Sequence, residues 1–151
     1  MTPTQTWIAV TEIITKLYPG CIVKRVYAPT DDLENIAYNE QPNIWVTLNS
    51  MQIGPVNTMA NYVEDSYEFR LTLIWKIKDS NTIEMDKRLD TIQDIITQMR
   101  HCSVDVGNSS IFFGIPSIDE VYDDELLLST GCYVATLILP VSVYRTVQTN
   151  S

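Results

Sequence analysis

The 151 residues suffice for one domain, whereas two independent cores would each be small. With 45% apolar and 19% charged residues the chain has a globular composition, which excludes disorder except at the ends. Its net charge of −9 argues against a nucleic-acid binder: no Lys or Arg occurs between Arg25 and Arg70 or between Arg100 and Arg145, and phosphate contacts need clustered bases.

In chain order, Trp7, Val10, Ile13, Ile14 and Leu17 fall on one stripe and predict a helix over residues 6–17. Thr4 or Thr6 can cap its start, and Pro19-Gly20 stops it. Residues 22–27 alternate as a strand. A polar loop follows as far as Pro42, with residues 33–38 able to form a helical turn. A second strand is expected over 43–49, with Ile44, Val46 and Leu48 facing the core and Trp45 and Thr47 facing away. Residues 50–64 read as an irregular connection, unusual in holding Met51, Ile53, Val56, Met59, Tyr62 and Val63.

The strongest periodic signal comes next. Tyr67, Phe69, Leu71, Leu73, Trp75 and Ile77 alternate with Glu68, Arg70, Thr72, Ile74 and Lys76. Strict period two cannot lie on one helix face, so residues 67–77 are a strand, and a long one that runs past the body of the domain or crosses several partners. Its apolar face should lie under the helices, with Leu71 and Leu73 deepest; its other face should meet solvent or a partner. A second helix is expected over 82–100, with Asn81 and Glu84 as a capping box. Met85, Leu89, Ile92, Ile96 and Met99 make its buried stripe, with Ile95 alongside. Residues 103–106 and 110–113 flank Gly107-Asn108 as a hairpin. The acidic stretch Asp119, Glu120, Asp123, Asp124 and Glu125 reads as a loop, like Asp31, Asp32 and Glu34 earlier. The last strand covers 132–146, and Pro140 within it calls for a sheet edge or a bulge. The sum is an α+β fold: an antiparallel or mixed sheet of four to six strands, two helices packed on one face, and one domain over 1–151.

Chemistry-bearing patterns are sparse. His101 is the only histidine, and a nucleophilic relay would need it beside an activated Ser or Cys; Cys102 is merely its chain neighbour. A Cys/His zinc site would require Cys21, Cys102, Cys132 and His101 to converge. The acidic run 119–125 lacks the glycine and spacing of an EF-hand loop. No phosphate-cradling glycine motif occurs. Trp45, Tyr67 and Trp75 could stack on bases or sugars, but without basic neighbours sheet packing is the better reading. The expectation is therefore no enzyme, no cofactor and no metal. Widely spaced, odd-numbered cysteines suggest free thiols in a reducing cytoplasm, and neither a leader nor a membrane span is visible.

The order of elements, with "YEFRLTLIWKIKD" (67–79), "TIEMDKRLDTIQDIITQMR" (82–100) and "CYVATLILPVSVYRT" (132–146), resembles the tail terminator, or tail-completion, proteins of long-tailed bacteriophages. The resemblance spans nearly the whole chain and is one of pattern, since that family has no signature residues. It implies a virion neck protein, assembled in the host cytoplasm, that forms a homo-oligomeric ring, typically a hexamer. Such a ring caps the tail-tube protein, ends tube polymerisation and meets a head-side connector protein, while DNA passes through without specific binding. On that reading Met51, Ile53, Val56, Met59, Tyr62, Arg70 and Ile74 would meet a neighbouring subunit or the tube. The acids at 31, 32, 34, 119, 120, 123, 124 and 125 would line a lumen or face solvent. The competing readings are another connector or adaptor of the neck, a monomeric ligand-binding module using the aromatic sheet face, and a hydrolase using the acid cluster.

Overall fold

The computed structural model describes residues 1–28, 33, 36–54, 62–78 and 82–146. In chain order its elements are α1 (Pro3–Leu17), β1 (Ile22–Arg25), β2 (Asn43–Gln52), β3 (Tyr62–Lys76), α2 (Thr82–Met99), β4 (Ser103–Val106), β5 (Ser109–Phe113), β6 (Ser117–Glu120), α3 (Asp124–Thr130) and β7 (Cys132–Thr146). The protein is α+β, as expected. The seven strands form one sheet in the order β1-β2-β3-β7-β5-β4, with β6 also on β7. The sheet is mixed: β1 runs parallel to β2, and every other pair is antiparallel. A parallel pair needs a long crossover, which is why the polar stretch between β1 and Pro42 is too long for a hairpin.

The first helix starts earlier than its apolar stripe suggests. Thr2 caps it and Pro3 occupies its first turn: the Thr2 hydroxyl accepts from the Gln5 backbone N–H at 3.1 Å, and the Thr2 N–H donates to the Gln5 side chain at 2.8 Å. Trp7 Nε1 donates to the Val46 carbonyl at 3.0 Å, fixing α1 to β2. Tyr18 does the same for the two helices, its hydroxyl donating 2.6 Å to the Ile95 carbonyl of α2. The main core gathers Val10, Ile13 and Ile14 of α1 with Ile92, Ile95 and Met99 of α2 against Ile44, Phe69, Leu71, Leu73 and Leu137 of the sheet. Leu71 and Leu73 are fully buried there, as the alternation predicts.

The opposite face differs from the expectation. Ile74 and Trp45 were expected to face away; instead they are buried in a second cluster with Leu33, Cys132 and Val134, and Leu126 packs against it. Ile74 is 0% and Trp45 2% exposed. Thr72 is buried too, so a face expected to meet solvent or a partner is covered over its middle. Part of the cover is α3, an element that the acidic run concealed. Asp123 caps it by accepting from the Leu126 N–H at 3.1 Å, and Gly131 ends it at φ 68° in the left-handed region that a residue without Cβ adopts freely. The acidic stretch is thus a strand and a helix, not a loop.

Three further expectations change. β2 extends to Gln52 and β3 begins at Tyr62, so much of the expected connection is strand; residues 55–61 lie outside those described. Along α2 the buried positions are Arg88, Ile92, Ile95 and Met99, while Leu89 is exposed; Asn81 lies outside the described residues. Finally, β7 is interior rather than at an edge. It pairs with β3 along its whole length, and its other side is shared by β5, as far as Val141, and β6, from Ile138. Pro140 falls in the gap between them. Its carbonyl accepts from the Gly114 N–H at 2.8 Å, so its missing donor faces the break where no ladder bond is required.

Candidate interaction surface

The residues singled out for contact scatter. Met51 and Ile53 lie at the far end of β2, 51% and 48% exposed. Beyond Val46 the outer edge of β2 has no strand partner among the described residues, because β1 pairs only with residues 43–46. Arg70 is half-buried, its Nε without a hydrogen-bond partner among the described residues. Ile74 is fully buried within the subunit and cannot meet a neighbour. Val56 and Met59 lie outside the described residues, as does the side chain of Tyr62.

Of the acids, Asp31, Asp32 and Glu34 lie outside the described residues. Asp119 and Glu120 are exposed on β6, Asp124 and Glu125 on the first turn of α3, and Asp123 is the α3 cap. Beside them runs an apolar groove of about 450 Å³ between α2 and the β6–α3 segment. Leu89, Val121, Tyr122 and Leu128 line it, with the carboxylates of Asp86 and Asp124 in its walls. Leu128 is 87% exposed. Burial beneath the groove, and then the nearby Tyr122, raise the pKa of the Tyr133 phenol.

The sheet carries two short strands of opposite charge, β1 at one end of the strand order and β6 off the path on β7. β1 carries Lys24 and Arg25, each stacked on an indole: Lys24 Nζ lies 4.6 Å from the Trp45 ring centre, and the Arg25 guanidinium 5.0 Å from that of Trp7. β6 carries Asp119 and Glu120. Strand register connects them directly. Lys24 pairs with Trp45, Trp45 with Thr72, Thr72 with Thr136, and Thr136 with Glu120. Lys24 and Glu120 are therefore the two ends of one row across the sheet and share a face, because residues directly opposite in a ladder do. Charge composition alone separates the acids from the bases, but only the strand order reveals this row.

The remaining chemistry-bearing residues stand apart among those described. No group of three His, Cys, Asp or Glu stands together among the described residues. His101 is exposed at the end of α2 with φ 62°, its backbone N–H donating to the Phe113 carbonyl at 3.2 Å. Burial pushes the Cys21 thiol up to about 11 and raises Cys102 as well, which keeps both protonated at neutral pH and poor as nucleophiles. Cys132 lies in the second cluster with its Sγ 3.6 Å from the Leu33 carbonyl. Trp45 and Trp75 are buried, so neither offers a stacking platform. Among the described residues no helix is long and apolar enough to cross a membrane.

These features define a class: an α+β protein whose distinctive surfaces are strand edges and an apolar groove. No protein-family model matches the chain, and no curated protein matches it.

Proposed function

We propose that the chain is a structural protein of the tail of a long-tailed bacteriophage, a terminator subunit that forms a ring on the last tier of the tail tube. The observation that carries the reading is the far end of β2, where Met51 and Ile53 stand exposed beside a strand edge that has no partner among the described residues. Exposed apolar side chains next to free backbone donors and acceptors suit docking onto another β-rich protein. Support also comes from the placement of α1 and α2 in the same core, on one face of a sheet built on two fifteen-residue strands, β3 and β7. The tube end presents copies of one site in a ring, so six modest contacts reinforce one another through effective concentration. The head-side connector would meet the opposite side of that ring.

The reading is tested by adding the chain to polymerising tail-tube protein from the phage that encodes it. Tube growth should stop at substoichiometric amounts, and the double variant Met51→Asp, Ile53→Asp should lose that effect while remaining folded. Unchanged growth with the wild-type chain would overturn the proposal.

A further inference from the structure

We propose that copies of this chain join head to tail, β1 of one copy pairing antiparallel with β6 of the next, so that a single sheet runs through the assembly. This deepens the ring reading by naming the joint between subunits, and it rests on that reading for closure into a ring.

Four observations converge. Both strands present an edge with no ladder partner among the described residues: β1 pairs only with β2, and β6 only with β7. The two edges lie at the same level, since the row from Arg25 runs through Val46, Leu71 and Leu137 to Ile118, one step from the row joining Lys24 to Glu120. Strand directions also agree. β1 runs with β2 and β7, whereas β6 runs with β3, so copies that keep one orientation bring β1 against β6 antiparallel. The charges are complementary: Lys24 lies in the row of Glu120, and Arg25 in that of Ile118, next to Asp119 where the register of β6 shifts, and all four charged side chains are exposed.

Charge also excludes the competing contacts. A symmetric pairing of β1 with β1 would set base against base, and β6 with β6 acid against acid, so of these three pairings only β1 with β6 attracts. Exposed apolar side chains lie in and next to both strands: Ile22 in β1 with Tyr27 after it, and Ile118 in β6 with Ile115 before it and Tyr122 after it. A head-to-tail contact of this kind closes into a ring when its rotation allows. Counted in strands, one subunit contributes β1, β2, β3, β7 and β6 to the circumference. At about 4.8 Å per strand that is a step of about 24 Å, and six copies make a ring about 46 Å across at the level of the sheet, wider than a DNA duplex. Glu120 then belongs to a subunit joint rather than to a lumen.

Two charge-reversed proteins test the joint: Lys24→Glu with Arg25→Glu, and Asp119→Lys with Glu120→Lys. Light scattering over a concentration series should show the wild-type chain associating, and each variant should associate at least about tenfold more weakly. An equimolar mixture of the two variants should recover association, because each restores an unlike edge to the other. That recovery also shows that both are folded. Variants that assemble as the wild type does would overturn the joint, as would a wild-type chain that stays monomeric or a mixture that stays dissociated. The same proteins added to tail tubes separate the two proposals. If the variants still cap tubes the terminator reading stands without this joint; if the wild type and the mixture associate in solution, each variant alone does not, and the wild type fails to cap, the joint stands without the terminator reading.

Discussion

The Arg145 guanidinium of β7 grips the carboxylate of Asp65 in β3, with Nε 2.5 Å from Oδ2 and a second contact at 3.3 Å to Oδ1. Arg145 stands opposite Val63, two positions from Asp65, and so closes the apolar row of Val141 and Val143 at the end of the core. The Asp65 side chain is 1% exposed and that of Arg145 28%. Removing the partner of the buried group leaves a charge that water cannot reach, whereas a freed Arg145 can turn outward. Arg145→Met should therefore destabilise the fold by about 3 kcal/mol. Asp65→Asn, which keeps the shape and the acceptor, should cost about 1–2 kcal/mol. Urea denaturation of both variants checks the order.

Gly54 belongs to the same knot. Its N–H donates to Asp65 Oδ1 at 3.0 Å, and a Cβ there would stand 1.9 Å from the Glu64 carbonyl oxygen. Because the obstruction is backbone, it cannot swing aside. Gly54→Ala should lower stability by about 2 kcal/mol, and faster hydrogen exchange should be concentrated at the β2–β3 end.

The second cluster predicts a contrast between two apolar residues once grouped together. Ile74→Ala should cost about 3–4 kcal/mol through lost burial and the cavity left beneath Trp45. Met51→Ala, at an exposed site, should stay within about 0.5 kcal/mol. Equal effects from the two would mean that the second cluster does not exist as described.

That contrast marks what the sequence makes legible. Tyr67, Phe69, Leu71, Leu73 and Trp75 announce a strand and its core face because the period is local. The burial of Ile74 on the other face is not local: it depends on Leu33, Cys132 and Leu126, which come from distant parts of the chain. The α3 helix carried its own signals, Asp123 at the start and Gly131 at the end, but five acids in seven positions read more strongly as a solvated loop. The Lys24–Glu120 row requires both strand order and register, and neither follows from composition.

Stability should fall at alkaline pH. Burial raises the Cys21 thiol from an ordinary 9.0 to about 11, and raises the Tyr18 phenol further, chiefly by desolvation and then through Cys21 and Cys102. The folded chain thus holds the Cys21 proton where the unfolded chain has released it. The contribution is whole below pH 9 and is lost as the pH rises towards about 11. Melting temperatures measured between pH 8 and 11 should decline, and Cys21→Ala should flatten the lower part of that decline.

Electron microscopy of tail tubes mixed with the chain tests whether it caps them as a ring. A terminator ring should show as chain density, six-fold when viewed along the tube, at one end of each tube and nowhere along its length. Bare tube ends, or density scattered along the sides, would contradict it.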